Sequence, residues 1–337
     1  ASAGMSSYPE ALRDKLIGAT RAPDTCTADV IGSLDHWVGE CFRDAALGLL
    51  RAAGVELGSV RAVGSHGQTI RHRPDDERPF TLQIGNADII AKGTGIDCVA
   101  EFRSADLALG GQGAPLVPPF HEWLFRSADV DRCVLNIGGI ANITVLPAAP
   151  GPVRGFDTGP GNTLMDAWVR RHRNMAFDDG GRWAASGTTI PSLLETMLAD
   201  PYFAKSPPKS TGFEYFNEAW LSRLVHDDAD YADVQATLAD LTATTIADAI
   251  GQHAPGTREL LICGGGVHNR DLVRRLAERL GQVTLASTAD FGLDPDHVEA
   301  AAFAWLAMRA LNGEPGNAPE VTGATRKTVL GAIHRAG

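Results

Sequence analysis

The first long periodicity along the chain is helical. Leu34, Trp37, Val38, Cys41, Phe42, Ala45 and Leu49 recur at about 3.6-residue spacing and trace one apolar face. Gly54 supplies a stop, and Ser33 or Asp35 a candidate N-cap. Residues 60–63, 80–84 and 96–100 are short apolar runs bounded by turn residues, which predicts strands. The first of them enters Gly64-Ser65-His66-Gly67-Gln68. A glycine-rich loop, Gly110-Gly111-Gln112-Gly113-Ala114-Pro115, precedes an apolar helix at about 117–125.

Further on, Cys133-Val134-Leu135-Asn136-Ile137 and the run 140–146 flank Gly138-Gly139, which predicts a β-hairpin. Gly155-Phe156-Asp157-Thr158-Gly159-Pro160-Gly161-Asn162 reads as a loop with Asp157 near its start. It runs into a helix whose Leu164, Met165, Trp168 and Val169 keep helical spacing. Such a helix N-terminus offers N–H groups and a positive dipole end to an anion. Residues 178–215, rich in Gly, Ser, Thr and Pro, predict a mobile loop. Val234, Leu238, Leu241 and Thr245 mark a helix. Residues 259–263 form a strand ending in Gly264-Gly265-Gly266, after which Asn269 caps a helix stopped by Gly281. Asp296 or its neighbour opens the last long helix, through Glu299, Phe303 and Leu306.

Strands and helices alternate throughout, so the class is α/β. The length of 337 residues exceeds one ordinary core and suits two domains. The boundary is placed near Asp131: a first domain over 1–131 to which about 320–337 returns, and a second over 132–319. The 30 basic and 41 acidic residues leave a net charge of −11, which argues against nucleic acid or an anionic membrane as the main partner. No apolar run reaches the ~18 residues of a membrane span. Five dispersed cysteines without a CxxC pair look like free thiols of a reducing compartment, so a cytoplasmic location is expected.

Four glycine-rich turns stand at strand ends, at 64–67, 110–113, 138–139 and 264–266. None fits GxxxxGK[ST] or GxGxxG, yet together they suit close backbone approach to phosphates or a nucleoside. His66 and Gln68 can bond a sugar or carboxamide, although His66 taken alone reads more readily as a satisfied core or turn histidine. Arg103 suits a carboxylate or phosphate, or a structural pair with Glu101; Asp106 lies beside it. Arg71, His72 and Arg73 read as a solvated basic run. No HExxH, zinc spacing or GxSxG occurs, and no metal ligands are assigned. Asp157, the carboxylate embedded in a glycine-rich turn, is placed to take a proton from a hydroxyl or a water.

Six of these segments together resemble the anhydro-N-acetylmuramic acid kinase family, in order and at the family's spacing. They are Gly64-Ser65-His66-Gly67-Gln68-Thr69-Ile70, Glu101-Phe102-Arg103 with Asp106, Gly110 through Pro118, Asn136-Ile137-Gly138-Gly139-Ile140-Ala141-Asn142, Phe156 through Asn162, and Cys263 through Asn269. The resemblance runs from about Pro9 to the end. It implies a two-domain actin-like (ribonuclease H-like) sugar-kinase fold with an interdomain cleft. It also implies Mg2+ and ATP, a peptidoglycan-recycling sugar substrate, and homodimers as one assembly. The implied reaction opens 1,6-anhydro-N-acetylmuramic acid with water while phosphorylating O6. Asp157 would be the general base. His66, Gln68, Arg103, Asp106, Gln112, Thr158 and Glu299 would meet the sugar. Asn136, Gly138, Gly139 and Asn142 would meet the ATP phosphates, with Gly264, Gly265 and Gly266 against the adenosine. Family members begin with a strand carrying Gly-Thr-Ser, then Asp-Gly and another Asp, as a first phosphate loop. This sequence shows no such segment, so the expectation is a first domain without that hairpin. Glu101 stands where the family's Asp is expected. Two other readings stay open: a catalytically inactive sugar-binding sensor of the same fold, and another sugar kinase of the fold.

Overall fold

The structure, a computed structural model, describes residues 2–22, 26–226 and 228–337. It divides into two compact units, Ala1–Phe120 with Glu299–Gly337, and His121–Val298. The helix Pro118–Phe125 spans the first division and the helix Val298–Leu311 the second. The sequence boundaries near Asp131 and Pro319 each fall beyond the end of one of these helices.

Along the described residues the strands are β1 (Val63–Gly64), β2 (Gln68–Arg73), β3 (Phe80–Ile84), β4 (Cys98–Ala100), β5 (Arg132–Ile137), β6 (Ile140–Leu146), β7 (Arg154–Pro160), β8 (Glu259–Cys263), β9 (Thr284–Ser287) and β10 (Ala332–His334). In the second unit they form one sheet, ordered β7-β6-β5-β8-β9. The β5-β6-β7 meander is antiparallel, and β8 and β9 continue parallel to β5. In order of appearance within this unit the strands run 3-2-1-4-5. Helices cover the sheet, so β5 reads Cys133-Val134-Leu135 as a continuous buried run rather than an alternation. The helix Tyr231–His253 is the main cover; Val234, Leu238 and Leu241 on it are buried with Leu135, Ile137 and Ile143.

In the first unit β1 runs parallel to β4, and β10 pairs antiparallel on β4's other side. The end of the chain thus returns to this unit. The hairpin β2-β3 packs with the helices Glu10–Arg21 and Ala28–Ala53 through Leu12, Leu16, Leu34, Val38, Ile70 and Ile84.

Four local expectations change. The helix starting near Ser33 begins earlier, at Ala28, where Thr27 accepts from the Val30 N–H. Asp35 lies inside it and instead accepts from Gly85 N–H and Asn86 Nδ2. The apolar periodicity reported only the part of the helix that faces the core. Asp157 sits within β7, not in a loop; this edge strand of the sheet tolerates Gly159 and Pro160, which read as loop residues in sequence. Residues 178–215 hold a 3-10 turn, Asp179–Gly181, and two α-helices, Arg182–Ser186 and Pro191–Leu198, because Ala184 on the first and Leu193 and Met197 on the second bury themselves in the core despite the Gly-, Ser- and Pro-rich surroundings. Arg71 is not simply solvated: it donates to the Ala19 carbonyl near the end of the first helix.

Candidate functional site

Asp157 is held on three sides by one segment. Its backbone N–H donates to Lys209 O at 3.1 Å, its carbonyl accepts from Tyr202 Oη at 2.8 Å, and its Oδ2 accepts from the Thr211 N–H at 2.9 Å. Oδ1 has no hydrogen-bond partner among the described residues. Burial raises the carboxyl from its ordinary value to about 6; the Thr211 N–H pulls it back down, Glu214 adds to the rise, and Lys209 opposes it. The outcome is a carboxylate fixed at one oxygen, open at the other, and basic enough to accept a proton near neutral pH. Its neighbour Thr158 faces the other way: it is buried and its hydroxyl donates to Ala141 O.

The hairpin at Gly138-Gly139 is braced from the same motif. Asn162 N–H donates to Gly138 O, and the N–H groups of Gly161 and Thr163 to Gly139 O. The helix Thr163–Arg173 therefore does not begin with a fully free N-terminus, as the sequence suggested; part of its donor set ties down the hairpin. Gly161 is required there, since a Cβ on it would lie 2.4 Å from Gly138 O. Asn136 and Asn142 pair across β5 and β6, and Asn136 also lies opposite Cys263, just before Gly264.

The three glycines after β8 do three different things. Gly264 adopts φ +77, and a side chain there would strike Asn136 Oδ1. Gly266 packs on β5, where a Cβ would lie 2.3 Å from Ile137 Cγ2. Gly265 is exposed with nothing within 4 Å of its missing Cβ. This is bare backbone over open space, the surface a flat nucleoside can lie against.

In the first unit, Arg103 donates from Nε and Nη2 to His66 Nε2 at 3.1 and 2.9 Å, and from Nη1 to Gly113 O at 2.7 Å. His66 must then carry its proton on Nδ1. Burial first, and the guanidinium second, push its pKa down to about 4, so it is neutral at physiological pH. His66 thus orients Arg103 and has no Nε2 lone pair left for a sugar. Burial also lowers the Arg103 pKa, opposed by the Glu299 carboxylate. The Arg–Glu101 pair considered from sequence is replaced by this Arg–His contact; Glu101 is exposed, with φ +57. Asp106 is fully buried and accepts from Gly113 N–H, Asn317 Nδ2 and Thr322 Oγ1, all at 2.8 Å. It shapes the 110–113 loop from within, and both of its carboxylate oxygens already accept from the fold. Gln112 donates to Asp75, and Gln68 accepts weakly from Tyr8 Oη at 3.4 Å.

Against known proteins, the sequence profile of a family described as "Anhydro-N-acetylmuramic acid kinase" matches residues 1–336. A protein of that name from Xylella fastidiosa (strain Temecula1) is 50% identical over 335 residues, covering 99% of this chain and 88% of its own. Another, from Xanthomonas campestris pv. campestris (strain 8004), is 52% identical over 326 residues, covering 96% and 86%. The chain belongs to the anhydro-N-acetylmuramic acid kinase family. Among solved structures, an activator of 2-hydroxyisocaproyl-CoA dehydratase from Clostridium difficile aligns at TM-score 0.42 and 13% identity, over 80% of this chain and 82% of that one. A xylulose kinase from Rhodospirillum rubrum aligns at TM-score 0.35 and 14% identity, over 67% and 50%.

Within this kinase family member, sequence reasoning missed Tyr202, Lys209 and Thr211, which fix Asp157. The signal was present in Lys205-Ser206-Pro207-Pro208-Lys209-Ser210-Thr211-Gly212, but only as a breaker-rich stretch. Among the described residues no three His, Cys, Asp or Glu side chains gather as a metal site. None of the described helices is long and apolar enough to cross a membrane.

Proposed function

We propose that this protein phosphorylates 1,6-anhydro-N-acetylmuramic acid with ATP and water, giving N-acetylmuramic acid 6-phosphate and ADP. The observation that carries the mechanism is the Asp157 carboxyl, fixed at Oδ2 and open at Oδ1, with a pKa of about 6. Water at Oδ1 gives its proton to Asp157 and attacks C1 of the sugar. The C1–O6 bond breaks, its electron pair stays on O6, and O6 takes the γ-phosphoryl group as ADP departs. The proton on Asp157 then passes to solvent. Phosphoryl transfer needs in-line positioning and charge neutralisation more than covalent help.

In this reading the braced Gly138-Gly139 hairpin meets the phosphates and Gly265 the adenosine. Arg103, held in place by His66, binds the sugar's carboxylate, and Glu299 lies near enough to influence that guanidinium. Asp106 acts indirectly, by shaping the 110–113 loop. Mg2+ would enter with the nucleotide and supply charge neutralisation at the transferring phosphoryl group. A cytoplasmic setting in cell-wall recycling, and a homodimer, belong to the same reading. ADP release coupled to a reporter enzyme, with the anhydro sugar as the variable reactant, tests it. Turnover dependent on that sugar supports the proposal. ADP formation that ignores the sugar, or none at all from folded protein, overturns it.

A further inference from the structure

Segment 202–211 does more than connect two helices. It runs beside the edge strand β7 and takes up the backbone N–H, the backbone carbonyl and one carboxylate oxygen of Asp157. Lys209 is the charged member of this strap. Its carbonyl accepts from Asp157 N–H, and its ammonium lies 5.0 Å from the centroid of the Tyr202 ring and 3.4 Å from Phe203 O. Tyr202 is buried, which gives the ammonium a fixed apolar floor.

We infer that Lys209 is a positioning residue for the water-activating step, acting through Asp157: its carbonyl fixes the strand that carries the carboxylate, and its ammonium, seated over the Tyr202 ring whose hydroxyl holds the Asp157 carbonyl, sets a positive charge at that site. The inference rests on the reading of Asp157 as the base. The neighbourhood needs such a cation. The carboxylate is partly buried, and Glu214, just beyond the strap, adds a like charge. Lys205 and His253 are the other titratable groups felt by Lys209 or its surroundings. Lys205 also lies over the Tyr202 ring, at 5.8 Å, and repels Lys209. Lys209 is itself partly desolvated, which lowers its pKa, while Asp157 opposes that fall. The two groups therefore support each other's charge.

The experiment is a pH profile of kcat/KM for the anhydro sugar with Mg-ATP, from pH 5 to 9, on the full chain. Wild type, Lys209→Met, Lys209→Gln, Lys209→Arg and Asp157→Asn are compared, each with a thermal melt. Wild type loses activity as pH falls through about 6. The Met and Gln variants move that limb upward by on the order of 0.5 pH unit or more. Their deficit therefore shrinks at pH 8 to 9, and Arg restores the wild-type limb. A profile of Lys209→Met and Lys209→Gln that is lowered equally at every pH, or that overlays wild type, overturns the inference. Two variants guard against a single misfolded protein, since a polar and an apolar replacement stress the strap differently. Asp166, on the helix Thr163–Arg173, is also raised by burial to about 6, but Lys209 is not among the charges acting on it, so its limb would not move. If Asp157→Asn keeps turning over, the base reading itself fails, whatever Lys209 does. If Asp157→Asn is inactive while the Lys209 limbs do not move, only the Lys209 inference fails.

Discussion

Replacing Asp157 by Asn should make the protein more stable and far less active, and the stability gain should depend on pH. Burial is the main cause of the raised pKa, so the folded protein binds the Asp157 proton more tightly than the unfolded chain does. The sign follows from linkage. The favourable contribution of this carboxyl is complete below its ordinary value of 3.8 and is lost as pH rises through about 6. At pH 7.5 the fold therefore carries the full cost of a half-buried charge. The gap between 3.8 and about 6 corresponds to about 3 kcal/mol, which we reduce to about 2 because water still reaches part of the group. An amide keeps the shape and can still accept from the Thr211 N–H through its oxygen, without the charge. The unit that contains it spans His121–Val298, and for a unit of that size about 2 kcal/mol raises the melting temperature by roughly 5 °C. Fluorescence melts of both proteins at pH 7.5 and again at pH 4.5 read the effect. The variant melts higher at pH 7.5, and most of the difference closes at pH 4.5. Coupled ADP release falls by about 10² to 10⁴. An Asn variant that melts lower than wild type at pH 7.5 would refute the claim that desolvation dominates at Asp157.

Other outcomes follow from the same geometry. His66→Ala removes the acceptor that orients Arg103, so KM for the sugar rises while KM for ATP changes little; equal changes in both would contradict the orienting role. Because His66 stays neutral down to about pH 4, removing it leaves the acid limb of the rate profile in place. Gly265→Ala meets open space and melts like wild type but weakens ATP binding. Gly266→Ala drives a methyl into Ile137 and costs on the order of 1–3 kcal/mol of stability. Nucleotide titrations and melts on the pair separate a contact glycine from a packing glycine. Asp106→Ala strands three donors, Gly113 N–H, Asn317 Nδ2 and Thr322 Oγ1, and should cost at least about 2 kcal/mol in urea unfolding.

The second unit was the more legible in sequence. The Gly138-Gly139 hairpin, the Asn269 cap with its Gly281 stop, and the buried face of Val234, Leu238 and Leu241 all rest on local rules, and local rules suffice there. Asp157 was found as a candidate, but as a loop residue. Its strand pairs with β6, and its bracing comes from a segment about fifty residues later, through Tyr202 and Lys209. Nothing in the local composition of either stretch encodes that long-range pairing. The polar residues of the first unit show the same limit. His66, Asp106 and Arg103 stood out as ligand-binding types, yet only the structure separates the side chains that spend their hydrogen bonds inside the fold from those that keep some free. Asp106 belongs to the first kind; its partners Asn317 and Thr322 lie more than two hundred residues along the chain.

The central claim is that Asp157 directs water to the sugar and that the freed O6 takes the phosphoryl group. Turnover in ¹⁸O-labelled water, followed by mass spectrometry of the sugar phosphate and its phosphate-cleaved fragment, tests it most directly. The account predicts one label in each product molecule, on the anomeric carbon and none in the phosphoryl group, with labelling and turnover both lost in Asp157→Asn. Label in the phosphoryl group would contradict it, as would undiminished turnover of the Asn variant.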